Sequence, residues 1–118
     1  MAFKCWGIIV LATQITPEHK VFVKSKKVPI LFVGQHCKKG YSIINDENKA
    51  GKKIGERVLK ARPNSILYIG VDETDTMVGI NRRDAVFKVL KKSSNLVIEE
   101  IKSDFSFEKT EELIYEYL

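Results

Sequence analysis

Only two cysteines, Cys5 and Cys37, occur among the 118 residues. They lie too far apart in sequence for a paired-cysteine metal clip and are too few for a disulfide framework, which leaves two reduced thiols behaving as small hydrophobes. No apolar run approaches the roughly 18–20 residues that cross a membrane. The run Trp6–Ala12 is too short, and has too little basic charge ahead of it, to read as a secretory signal. A cytoplasmic protein with no membrane partner is therefore expected. Internal repeats, low-complexity tracts and linkers are also missing, so residues 1–118 are read as a single α/β domain with one core. Arginine is scarce beside lysine. Lysine is a point charge suited to phosphate rather than to the forked reading of base edges.

What is present is ordinary globular composition, 44% apolar and 30% charged, with a net charge of +5. The charge is unevenly placed. Residues 1–62 carry 13 Lys or Arg against 4 Asp or Glu, whereas residues 63–118 carry 7 against 11. Such polarity steers a protein towards polyanions or an oppositely charged partner. Its plain alternative is a lysine-rich solvated surface.

Taken in order, Phe3–Ala12 reads as a central strand buried on both faces, with Gly7 marking a bulge or close approach. Thr13–Pro17 breaks it. His19–Lys24 alternates as a second strand, Ser25–Lys27 turns, and Val28–Gly34 is a third, with Pro29 at its start. These three would form an antiparallel meander. Tyr41–Ile44 could extend the sheet. Asn45 or Asp46 caps a helix whose Ala50, Ile54, Val58 and Ala61 make one stripe. Its Gly51 and Gly55 would let its backbone approach a strand. Ser65–Val71 is a buried strand running into the acidic turn Asp72–Thr76. Asn81 caps the next helix, which buries Ala85, Val86, Val89 and Leu90. Leu96–Ile101 is the last strand, and Ser106 caps a last helix presenting Phe107, Ile114 and Leu118. The expectation is a mixed five-stranded sheet with three helices, in the order βββαβαβα.

That order resembles the ribonuclease-H-like architecture. Residues 46–118 are also similar in layout to the dinitrogenase iron–molybdenum cofactor-binding family. The first resemblance implies a metal-bearing aspartate near the end of the strand Ser65–Val71, where Asp72 stands, with Glu56 in the position of a helix carboxylate. The aspartate which that architecture carries in its first strand has no counterpart in Phe3–Ala12, and this weighs against nuclease chemistry. The segment Ile69–Asp75 also resembles the hydrophobic-D-D-T-D opening of some archaeal tRNA-modifying ligases, although theirs is N-terminal. The D-x-x-D-T spacing departs from the D-x-D-x-T phosphatase pattern.

Three groups of candidate residues follow. Asp72 and Asp75, at the carboxyl end of an expected parallel strand, could hold Mg2+ or Mn2+, and with Thr74 and Thr76 could bind a phosphate. The same turn also reads as Asp and Thr bonding main-chain amides. Gly34–Gly40 fails the Walker A spacing but could form a looser phosphate loop with Lys38 and Lys39. His36 and Cys37 would join an aspartate as metal ligands only if two strand ends met. Finally Lys24, Lys26, Lys27, Lys38, Lys39 and Tyr41, in a basic stretch with Lys20 and Phe22, pair cations for phosphates with an aromatic for stacking. The leading expectation is RNA or other nucleic-acid binding through the basic first half. The alternatives are metal or phosphate-ligand binding at residues 72–76, hydrolytic or not, and a cofactor carrier or homo-oligomeric interaction protein.

Overall fold

A computed structural model describes residues 4–118, so the start of the first expected strand, Phe3, lies outside the described residues. Two compact units divide the chain, one reaching Asn45 and the other running from Asp46 to Leu118.

In the first unit, β1 (Ile8–Leu11) is followed by α1 (Pro17–Ser25), β2 (Ile30–Val33) and β3 (Tyr41–Ile43). The expected strand at His19–Lys24 is therefore helix. The alternation of lysine with valine suggested period two, but the start signals ahead of it prevail. Thr16 accepts from the His19 main-chain N–H at 3.3 Å, and His19 Nδ1 accepts from the Thr16 N–H at 3.0 Å, a reciprocal cap. Pro17 occupies the first turn with Glu18, and Lys24 the last, in accord with the helix dipole.

The antiparallel meander is corrected with it. With a helix between them, β1 and β2 pair in parallel (Ile8 with Ile30, Val10 with Phe32), and β2 and β3 also pair in parallel (Phe32 with Ser42). A helical crossover brings the next strand back in the same direction. Between β2 and β3 the return is made by residues 34–40 without a helix. Gly34 (φ 93°) and Gly40 (φ 98°) take the left-handed turns at its ends, and a Cβ on Gly40 would lie 2.7 Å from the Ile30 carbonyl oxygen.

Among the described residues the buried cluster lies on one face of this sheet. Val23 of α1, Ile30, Phe32 and Cys37 are buried together, with Ile8, Val10 and Ile15 against them. Ile9 and Leu11 on the other face are 70% and 80% exposed, so β1 is not the strand buried on both faces that its composition suggested.

In the second unit, α2 (Glu47–Lys60), β4 (Ser65–Val71), a π-helical segment Thr76–Arg82 running into α3 (Arg83–Leu90), β5 (Val97–Ser103) and α4 (Phe107–Tyr117) follow in order. β4 and β5 pair in parallel over seven residues, Ser65 with Val97 through Val71 with Ser103. The described strands thus make two parallel sheets, of three and two strands, in place of one mixed five-stranded sheet, and the described residues form four α-helices where three were expected.

Asp46 caps α2 by accepting from Lys49 N–H at 2.9 Å, and Ser106 caps α4 by accepting from Lys109 N–H at 3.2 Å, both as expected. The cap before α3 is Asp75 rather than Asn81, because the π-helical turns extend the helix backwards to the acidic turn. The buried face of α2 is Glu47, Gly51 and Gly55, with Ile54 45% exposed. Those glycines admit helix α3, not a strand: a Cβ on Gly51 would overlap the Arg82 carbonyl oxygen, and one on Gly55 would lie 2.7 Å from Val89 Cβ. Val86, Val89 and Leu90 of α3 are buried with Met77. The expected face of α4 is open, with Phe107 76% and Leu118 95% exposed.

Candidate functional site

The first unit gathers cations. Residues 1–45 contain seven lysines, no arginine and one acidic residue, Glu18. Lys20 and Lys24 lie one turn apart on α1, and the 34–40 crossover carries Lys38 and Lys39 past them. Between the two lies a hollow of about 400 Å³, walled by Lys20, Lys24, His36, Lys38 and Lys39 and floored by Val23 and Cys37. A second, shallower hollow of about 340 Å³ shares Val23, Lys24 and Lys39 and continues to Lys26, Pro29, Gly40 and Tyr41. Five of the six residues named for nucleic acid thus come to one groove, while Lys27 lines neither hollow. Lys26 Nζ stands 4.9 Å from the Phe22 ring centroid, a cation–π contact that holds it over α1. Tyr41 is 71% exposed at the far end.

The crossover is held by its own polar groups. Gln35 Nε2 donates to the Thr13 carbonyl at 2.6 Å, the Cys37 N–H donates to Ser42 Oγ at 3.1 Å, and the Gly34 N–H donates to the Ile43 carbonyl at 2.9 Å. Neither Gln35 nor Ser42 stood out in the sequence. The signal that could have marked them is the pair of glycines at 34 and 40, which brackets a segment that must turn twice.

The acidic turn of the second unit is bound up with its own backbone. Asp72 Oδ1 accepts from the Thr74 N–H at 2.8 Å, and this bond holds the Asp72 carboxyl below its ordinary range. Asp75 is buried, and its Oδ1 accepts from Met77 and Val78 N–H groups at 3.0 and 2.9 Å. Thr74 and Thr76 are exposed. Glu73 pairs with Lys102 at 2.9 Å. Among the described residues no group of three His, Cys, Asp or Glu side chains could hold a metal ion.

Beside this turn stands an arginine network that the sequence reading passed over. Arg83 binds Glu100 of β5 through two parallel hydrogen bonds of 2.6 Å and Asp84 through one of 2.9 Å, and its guanidinium lies 4.6 Å from the Phe87 ring centroid. The Arg83 bonds lower the Glu100 pKa and raise that of the guanidinium. Arg82 bonds Glu47, which is buried at the start of α2 and is the main cause of the raised Arg82 pKa. The scarcity of arginine is the signal that could have found this pair, since adjacent arginines in a lysine-rich chain mark positions where a forked donor is needed.

No family model matches the chain. A search of curated proteins finds the sucrose operon repressor of Staphylococcus xylosus, 32% identical over 85 residues, which are 72% of this chain and 27% of that protein. The chain thus spans about a quarter of the length of this relative. Among solved structures, the Cra transcriptional dual regulator from Pseudomonas putida, in complex with fructose 1-phosphate, matches with a TM-score of 0.81 at 17% identity, over 96% of this chain and 43% of that one. A chain of the XylFII–LytSN complex matches with a TM-score of 0.71 at 20% identity, over 96% of this chain and 44% of that one. The fold is therefore the one seen in these chains, and the ribonuclease-H-like layout gives way to it.

Proposed function

We propose that this chain acts in transcriptional regulation, as part of the α/β body through which a nucleic-acid-binding regulator responds to a small carbohydrate ligand. The observation that carries the reading is the joint likeness to a repressor in sequence, over 85 residues, and to a transcriptional regulator in fold, over nearly the whole chain. The architecture agrees with a ligand-responsive role. Parallel strands joined by crossovers present their carboxyl ends to ligands. Among the described residues a strand separates every pair of successive α-helices, so no two of them make a helix-turn-helix reading head.

Thermal unfolding of the chain against sucrose, fructose, glucose and their phosphate esters tests this reading. A ligand at 100 times its Kd adds about 2.7 kcal/mol to folded-state stability. A saturable rise in Tm with one or two of these sugars is expected. An unchanged Tm throughout, with the ligands at millimolar concentration, would refute it.

A second, finer reading places nucleic acid directly on the first unit. It is favoured by the convergence of Lys24, Lys26, Lys38, Lys39 and Tyr41 on one groove. Fluorescence anisotropy with single-stranded RNA and duplex DNA at about 50 and 200 mM salt tests it. Six or more neutralised phosphates cost about 10³-fold in affinity across that range. A salt-insensitive signal, or none at low salt, removes the reading.

A further inference from the structure

We propose that the hollow between α1 and the 34–40 crossover binds the phosphate group of a small phosphorylated metabolite. The first ground is charge. Lys20, Lys24, Lys38 and Lys39 converge on one cavity, and among the described residues none of the four forms an ion pair. No carboxylate lines the cavity. Glu18, the one acidic residue before Asp46, is held in its ionised form chiefly by a hydrogen bond with the Thr16 side chain at the start of α1. Four like charges brought together without a counter-charge repel one another, and a phosphate monoester removes that repulsion. Its second pKa is about 6, so it is largely a dianion at neutral pH.

The second ground is shape. A volume of about 400 Å³ lies within the range of small-molecule sites, about 300–1,000 Å³. The floor is apolar and fixed. Val23 and Cys37 are 7% and 8% exposed and belong to the packed core, and the first half of the crossover is anchored by hydrogen bonds from Gly34, Gln35 and Cys37. A sugar- or nucleoside-sized body can lie on that floor while its phosphate reaches the lysine rim, with the exposed imidazole of His36 beside it.

A nucleic-acid strand would use the groove differently. It would run through both hollows and depend on Lys26 and Tyr41, which the small ligand does not touch. Lys24 and Lys39 line both hollows, so the metabolite and a strand would compete for the same two cations.

The test is isothermal titration calorimetry at about 50 mM salt with inorganic phosphate, fructose 1-phosphate and fructose as probes. It compares the wild-type chain with Lys20→Gln, Lys38→Gln, Lys26→Gln and Lys53→Gln. All four side chains are exposed, so the variants keep the fold. Wild type should bind phosphate, and bind fructose 1-phosphate more tightly than fructose. Lys20→Gln and Lys38→Gln should each weaken both anions about tenfold, the scale of one charged hydrogen bond. Lys26→Gln in the outer hollow and Lys53→Gln on α2 should change neither.

Equal weakening by Lys26→Gln would assign the groove to an extended polyanion and overturn the proposal. Equal weakening by Lys53→Gln would reduce the effect to net charge, with the same consequence. Sugar binding that is indifferent to the phosphate and to every variant overturns the proposal while leaving the regulator reading intact. Phosphate binding lost in Lys20→Gln and Lys38→Gln upholds it even if no sugar raises the Tm.

Discussion

Replacing Gly51 by alanine sets two physical effects against each other at one carbon atom. Within a helix, alanine is favoured over glycine by about 1 kcal/mol, and α2 is a 14-residue helix in which Gly51 is not terminal. Propensity alone therefore predicts a more stable protein. The packing predicts the reverse. The new Cβ would overlap the Arg82 carbonyl oxygen and stand 2.7 Å from Ala85 Cβ and 3.2 Å from the Val86 nitrogen. Two of these atoms are backbone and the third is the first carbon of a side chain, so no flexible group can swing aside. Helix α3 must move away, and overpacking of this kind costs about 1–3 kcal/mol. The net expectation for Gly51→Ala is a loss of up to about 2 kcal/mol after the propensity gain is subtracted. For a cooperative unit of this size that is a fall in Tm of up to about 16 °C. Urea unfolding followed by circular dichroism is the assay. The midpoint should drop with the slope unchanged, since the surface exposed on unfolding is the same. A Gly51→Ala protein whose midpoint rises, as at an open helix position, would falsify the close α2–α3 contact.

Other perturbations test separate parts of the account. Asp75→Ala removes the acceptor of two amide hydrogen bonds at a buried cap and should cost about 1–2 kcal/mol in urea unfolding, with Asp75→Asn retaining most of the stability. The Arg83–Glu100 pair, with side chains 26% and 21% exposed, lies between a surface and a buried pair, so Glu100→Gln should cost about 1–2 kcal/mol at neutral pH. Because Arg83 depresses the folded-state pKa of Glu100, the pair's contribution is fully present above the unfolded value of about 4.5 and is lost as pH falls through the lower folded value. The acid side of the stability–pH profile should therefore be less steep in Glu100→Gln, and an unchanged profile would contradict the linkage. Gly40→Ala should destabilise the first unit and weaken phosphate binding, because the residue is at φ 98° with Ile30 backbone 2.7 Å from the added carbon. Phosphate titration and thermal unfolding of that variant are the check.

Much of the second unit was legible. The strand Ser65–Val71 matches its expected bounds, and the caps Asp46 and Ser106 behave as their side chains dictate. These are local signals, set by turn and cap chemistry within a few residues. The helix at Pro17–Ser25 was misread because lysine and valine alternate there for a tertiary reason: the helix buries Val23 alone and leaves its other faces in solvent. Strand direction followed from that one element, and parallel pairing became antiparallel in the reading. The split into two sheets was not legible, since periodicity within a strand carries no information on which strands pair. At the candidate site, the lysines were legible as a set by composition. Their convergence depends on a crossover that turns at Gly34 and Gly40, which a count of charges does not show. The acidic turn was visible as a cluster, but the amides that occupy Asp72 and Asp75 come from the turn and the π-helical segment.

The most direct test of the central claim is calorimetric titration of the folded chain with sucrose, fructose and fructose 1-phosphate, read for stoichiometry and heat capacity. Saturable binding of one carbohydrate per chain is expected, with a negative heat-capacity change, the mark of apolar surface closing over the ligand. A chain that is folded by circular dichroism and binds none of these sugars at millimolar concentration would contradict it.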